Sequence, residues 1–489
     1  MLAAKSSEAP PFNALAYGTF LLLGLGLLAP WNFVLNSLPY FGSLYVGNTA
    51  SVAVNIGFYI SAAYSYPAIL MQARLRVPRH IVSFAAPCLT PPSRALLLAQ
   101  FVLVLYGARV STTTRIVGSA ALQAVAVTAM PLLSRSSPWT PVLLMFVCGL
   151  GTAVMQASVM GVVSRFPPAY SAGFMLGQGL VGIVSSALQI AIKAAVQSRV
   201  APDGSLPASV NAAAATGYFV FAAALMVACG AGFYALDQTA FADFYLRGGV
   251  SKADGGSDSG DAGCSGGDAG AADADADADA GDADDADGQR ALLRPGSGGG
   301  RQPWCSPVVV SAASKARLYI AALFLTFFVT FLLFPGVLID RIPYRGGLGS
   351  RAGFLGTPKL GWWGVVLLAV FNVFDTVGRS AAGLPALTAL SAPALVGAVV
   401  ARGAFVVLML GCALAWRGFG DGATLALDAG FALTNGLFAS LAFIGAPRAS
   451  GVTPAEQQSV GMLLSISLNL GILVGSNAAF AFAGIAQVP

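Results

Sequence analysis

Histidine is almost absent from this 489-residue chain, which carries only His80. One imidazole excludes a multi-histidine metal cluster and any catalytic pair of histidines. Lysine is nearly as scarce, and none of the five lysines follows a glycine. The Gly-Lys-[Ser/Thr] end of a Walker A loop is therefore missing, and with it the expectation of ATP hydrolysis. There is no His-Glu-x-x-His, and no Gly-x-Ser-x-Gly elbow with His and acid partners, so an enzyme would lack a nucleophile–base pair. The six cysteines have no metal-ligand spacing. Cys148, Cys229 and Cys412 fall in apolar stretches, where a free thiol behaves as a small hydrophobe. No cofactor is implied. Charge as a whole is thin, at 10% of residues against 56% apolar, where a soluble domain carries roughly 25% charged residues.

Long apolar blocks stand in place of that charge. A helix needs about 20 mainly apolar residues to cross a bilayer. Such blocks occur near 14–36, 49–72, 115–133, 139–164, 170–198 and 212–236, and again near 314–338, 361–383, 394–416, 424–446 and 457–486. The chain thus reads as an all-α integral membrane protein with about eleven crossings. Its mean hydropathy of +0.74 agrees. Residues 1–13 are short and polar, and the block that follows is long enough to span, so it reads as a first crossing and not as a signal peptide. Frequent Gly and Ala suit close helix–helix contact in lipid.

The clearest boundary is residues 248–303, rich in Gly, Ser, Ala and Asp, with alternating Ala and Asp from Ala272 to Asp279. Such a stretch buries too little apolar surface to offset ordering entropy, so it is expected to be disordered. The 12 acids between Asp254 and Asp287, out of 21 in the chain, hide a basic membrane portion. Arg247, Lys252, Arg301, Lys315 and Arg317 flank the segment, which places it, and by parity residues 1–13, in the cytoplasm. Arg341, Arg345, Arg351 and Lys359 would then lie outside. The expected layout is an N-terminal bundle of six helices over 14–240, a linker over 241–313 and a C-terminal bundle of five over 314–489. Two such bundles suit a transporter that rocks about a central site. A nucleic-acid role for the basic excess is the weaker alternative. Residues 73–100 interrupt an apolar run with four arginines and four prolines; joining Gln72 to Phe101 would restore one helix, so the segment reads as an insertion.

Polar groups inside spans are costly and mark function by default. Asn372, Asp375 and Arg379 follow i, i+3, i+7 spacing on one helical face, and the last two can pair. Either they bind a ligand or they lock two helices. Pro30, in Leu28-Ala29-Pro30-Trp31-Asn32, removes a backbone hydrogen bond and can kink the first span; Trp31 offers a flat face and one donor. Gln156 and Gln178 are amides at membrane depth, suited to joining helices or to a planar polar ligand. Trp362 and Trp363 read as interfacial belt residues, and Gly471 and Gly475 as a packing motif. Asp375 and Asp428 are the carboxylates well inside spans.

Together these segments resemble the equilibrative nucleoside transporter family. Gly24-Leu25-Gly26, Pro30-Trp31-Asn32-Phe33 and Tyr40-Phe41 are similar to its first-helix signature. Met155-Gln156-Ala157-Ser158, Phe166-Pro167-Pro168-Ala169-Tyr170 and Gly177-Gln178-Gly179-Leu180 resemble its fourth and fifth helices. Phe334-Pro335-Gly336-Val337, Phe371-Asn372 through Asp375 with Gly378-Arg379, Thr434-Asn435-Gly436 and Pro454-Ala455-Glu456 follow in the same order. The resemblance implies an eleven-helix, major-facilitator-like fold divided six and five, facilitative movement of nucleosides and sometimes nucleobases, and a plasma-membrane address. It places Leu28, Trp31, Asn32, Leu35, Gln156, Asn372, Asp375 and Arg379 near a central substrate site. The chemistry is consistent with this: Trp31 would contact the base, Gln156 its edge, and Asp375 with Arg379 the ribose hydroxyls. The driving force would be the substrate gradient or a coupled proton. A carrier for another small polar solute and a membrane-embedded lipid enzyme are the alternatives.

Overall fold

A computed structural model describes residues 10–37, 40–41, 44–45, 110–196, 208–247, 307–346, 348 and 362–482. The expected span 49–72, the 73–100 segment with His80, and the acidic stretch 248–303 lie outside the described residues. Among those residues regular structure is helical throughout, and ten helical stretches are long and apolar enough to cross a membrane. They coincide with the ten other expected blocks.

The first half contains α1 (Ala14–Leu27), α2 (Ala29–Asn36), α3 (Thr112–Leu133), α4 (Trp139–Val163), α5 (Pro168–Val196), α6 (Ala208–Asp237) and α7 (Ala240–Arg247). The second contains α8 (Pro307–Leu333), α9 (Gly336–Asp340), α10 (Trp362–Ala381), α11 (Pro385–Thr388), α12 (Ala392–Ala401), α13 (Ala404–Ala413), α14 (Asp421–Gly445) and α15 (Pro454–Ala478). Helix thus reaches into both ends of the expected 241–313 linker, at α7 and at the start of α8. Local chemistry sets several of these boundaries. Asn13 caps α1 by accepting from the Ala16 N–H at 3.0 Å. Pro30 has no N–H to continue the ladder, and the chain breaks at Leu28 between α1 and α2. The expected kink is therefore present as a helix break.

Within the first half, α1 packs on α5 and α6, and α3 on α4 and α6; within the second, α8 packs on α15, α14 and α12, and α10 on α14. Glycine makes the closest of these contacts. A methyl group at Gly177 would overlap the Leu21 carbonyl of α1, and one at Gly24 the Phe174 carbonyl of α5. Gly378 and Gly436 stand in the same relation across α10 and α14, against the Leu433 and Asp375 carbonyls. Gly471 and Gly475 face the Phe324 and Phe328 carbonyls of α8, as their spacing leads one to expect. The halves meet where α5 packs on α10 and α4 on α15.

Trp362 and Trp363 depart from expectation. Both are buried, with Trp363 Nε1 donating to the Ile342 carbonyl at 3.1 Å and Lys193 over the Trp362 ring at 5.9 Å. Their position at a span edge suggested a lipid interface, but protein covers them instead. At the start of α15, Glu456 accepts from the Thr453 N–H at 2.8 Å and from Lys315 of α8 at 2.9 Å. Glu456→Ala frees a helix-terminal N–H and an ion pair together. It is expected to cost about 1–2 kcal/mol, read as a lower midpoint of thermal unfolding in detergent; an unchanged midpoint would show the contact to be idle.

Candidate functional site

The buried face of α10 carries Asp375 and Arg379, 6% and 4% exposed. One helical turn apart, they form an ion pair, with Arg379 Nε donating to Asp375 Oδ2 at 2.7 Å. The Gly378–Gly436 contact draws α14 close enough for Asn435 to join them. Its Nδ2 donates to the other carboxylate oxygen of Asp375 at 2.7 Å, and its Oδ1 accepts from Thr330 of α8 at 2.6 Å. On the opposite side Arg379 Nη1 donates to Gln178 Oε1 of α5 at 3.2 Å. Gly179, next in sequence, leaves room for Thr376 and the Arg379 side chain against α5. One polar network therefore runs Thr330–Asn435–Asp375–Arg379–Gln178 and joins both halves of the molecule. A carboxylate offers about four acceptor positions, and protein donors occupy two at Asp375, so it retains capacity toward hydroxyl groups.

Farther along α10, Asn372 Nδ2 donates to Ser186 Oγ of α5 at 2.8 Å. All three polar residues of the i, i+3, i+7 face thus engage α5 or α14. They hold helices together, and whether they also bind a ligand is a separate matter of chemistry. Gln156 of α4 is 4% exposed, and its Nε2 finds no acceptor among the described residues. An unmet buried amide N–H is costly, and a ligand's acceptor would satisfy it. Asn32 turns back on its own helix, Nδ2 donating to the Leu28 carbonyl at 2.9 Å. The same carbonyl also accepts from the Asn32 backbone N–H at 3.0 Å. Leu28 and Trp31 are half-buried against a hydrophobic core that draws on both halves. The side chain of Leu35 lies outside the described residues. The structure therefore brings Asp375 and Arg379 into one network and sets Asn372 beside it on the same helix, while Asn32 bonds its own helix and Gln156 Nε2 bonds neither of them.

Sequence reasoning left Asn435, Thr330 and Arg402 out of the site. Arg402, 2% exposed, donates to the Thr326 carbonyl at 2.9 Å, the Phe431 carbonyl at 3.0 Å and Thr434 Oγ1 at 3.0 Å. Its guanidinium also lies 4.3 Å from the Phe431 ring centre, a cation–π contact. Two signals were available: an arginine within an apolar run, and an Asn-Gly pair within another.

Residues 142–484 match the family profile described as Nucleoside transporter. Equilibrative nucleoside transporter 1 of Mus musculus is 26% identical, over 94% of this chain and 95% of that protein. Equilibrative nucleoside transporter 2 of Rattus norvegicus is also 26% identical, over 95% of this chain and 96% of that protein. Among solved structures, the major facilitator superfamily proton:xylose symporter XylE is 11% identical with a TM-score of 0.49, covering 96% of this chain and 87% of that one.

Proposed function

The chain belongs to the nucleoside transporter family, and from that membership we propose that it is a facilitative carrier moving nucleosides across a membrane by alternating access. It is a multi-pass membrane protein with ten candidate spans among the described residues. The observation that carries the mechanism is the buried Asp375–Arg379 pair, anchored on α14 by Asn435 and reaching α5 of the other half through Gln178. A charged pair at this depth is expensive to bury, and its position between the halves is where a carrier of this kind holds its substrate. Asp375 accepts from ribose hydroxyls, Gln156 donates to an acceptor on the base edge, and Trp31 with Leu28 and Leu35 supplies apolar surface. Asn32 and Asn372 shape the site from α2 and α10. The protein sits in the plasma membrane with its N-terminus cytoplasmic and its helices divided six and five.

The test is uptake of a radiolabelled nucleoside into vesicles holding the purified chain. Saturable uptake is expected, with a competition panel of inosine, adenosine, uridine and hypoxanthine defining the class. No saturable uptake of any nucleoside or base would overturn the assignment. Gln156→Ala removes one neutral donor, so it is expected to raise KM by roughly 3- to 10-fold while leaving the amount of folded protein unchanged. An unaltered KM would remove Gln156 from the site.

A further inference from the structure

α14 carries a polar file on its buried face, Asp421, Asp428 and Asn435, with Thr424 between the first two. The spacing of seven residues puts successive members about 10 Å apart along the axis. The two outer members are engaged. Asp421 accepts from the Arg345 N–H at 2.8 Å, and Asn435 bonds Asp375 and Thr330. Asp428 is different. It is 0% exposed, and neither carboxyl oxygen has a hydrogen-bond partner among the described residues. Its neighbours on α14, Leu427 and Phe431, belong to an apolar cluster with Phe371, Phe334 and Met409.

The charged and titratable groups on the helices packed against α14 are committed elsewhere or remote; Arg448, in the turn that follows α14, donates to the Ile444 carbonyl. On α10, Asp375 and Arg379 pair with each other. Arg402, at the end of α12, is held by two carbonyls and Thr434. On α8, Lys315 pairs with Glu456; Tyr319 lies against Gly445, at the far end of α14, and Arg317 is two residues before it. On α13, Cys412 belongs to the apolar cluster. On α5, Lys193 lies over Trp362, and Tyr170 packs among Phe20, Phe166 and Phe241.

An ionised carboxylate without partners in such a place is far more costly than the neutral acid. This buried arrangement therefore suits the carboxyl group carrying its proton. Alternating access must at some stage let water reach the file from one side or the other, and there the proton exchanges. We propose that Asp428 is a proton-carrying site that couples this carrier's substrate movement to proton movement in the same direction. In the step, hydronium on one face donates a proton to the Asp428 carboxylate; on the other face the acid returns it to water. The proposal rests on the nucleoside assignment above and leaves its site residues unchanged, but replaces purely facilitative movement with movement driven by the proton gradient.

The test uses the full chain in vesicles, with radiolabelled adenosine and an inward gradient of about one pH unit. Wild type is expected to accumulate adenosine transiently above the external concentration, toward a limit of roughly tenfold for one proton per nucleoside. Asp428→Asn should equilibrate adenosine without that overshoot, and Asp428→Glu should recover part of it. Three outcomes would overturn the proposal: no overshoot by a wild type that shows saturable uptake, an equal overshoot in Asp428→Asn, or equal loss of uptake by Asp428→Asn with and without the gradient. An infrared spectrum of the purified wild type supplies a readout independent of transport. A protonated-carboxyl C=O band that Asp428→Asn lacks supports the site, and its absence from wild type overturns it. With that band present, failure to move any nucleoside would overturn the nucleoside assignment alone.

Discussion

Asp375→Ala is expected to abolish measurable uptake and to destabilise the protein. Arg379 would remain at 4% exposure with its carboxylate gone, and breaking one side of a buried pair costs about 3–5 kcal/mol. Asn435 would lose its acceptor at the same time. The loss has two components, and variants separate them. Asp375→Asn keeps an acceptor for Asn435 but removes the charge. Asp375→Ala with Arg379→Ala removes the stranded charge as well. If the pair both binds substrate and supports the fold, the double variant regains thermal stability relative to Asp375→Ala and stays inactive. Recovery of uptake in the double variant would reduce the pair to a structural lock, and normal uptake by Asp375→Ala would remove it from the site. Thermal unfolding in detergent and uptake in vesicles, measured on the same preparations, decide between these.

The second large effect belongs to a residue with no side chain. Gly436→Ala places a methyl group against the Asp375 carbonyl, so α10 and α14 must separate. Overpacking of this kind costs about 1–3 kcal/mol. Here it also pulls Asn435, the preceding residue, away from Asp375. Uptake is expected to fall by roughly tenfold or more, with a lowered unfolding midpoint, whereas Gly217→Ala in α6, where nothing lies within 4 Å, is expected to behave as wild type. Indistinguishable behaviour of the two variants would mean that the close approach is not needed.

These two residues also mark how far the sequence could be read. Asp375 and Arg379 were legible because helical spacing alone places them on one face and polar residues within an apolar run are costly. The break at Pro30 was legible for an equally local reason, the missing N–H. Thr330 was not, and Asn435 only through its Asn-Gly pair: Asn435 meets Asp375 once Gly378 and Gly436 have brought two distant helices together, and Thr330 joins through Asn435. Arg402 was signalled by its place in an apolar run, but its partners were not: they are mainly backbone carbonyls, which every residue possesses. The same logic misplaced Trp362 and Trp363, because proximity to a span edge says nothing about which neighbour covers a ring. The Asn32 amide bonds the Leu28 carbonyl, a contact within its own turn that no spacing rule singles out.

The contacts between halves are of two mechanical kinds. Along α5 and α10 the halves touch mainly through side chains, with Asn372 at Gly182 and Thr376 and Arg379 at Gly179, where the Thr376 Cα also comes close. Where α4 ends and α15 begins, a methyl group at Gly461 would overlap the Met160 carbonyl, so there one backbone rests directly on another across the divide. At that end of the molecule the two halves can approach this closely only because residue 461 has no side chain: any larger residue there would hold α4 and α15 apart.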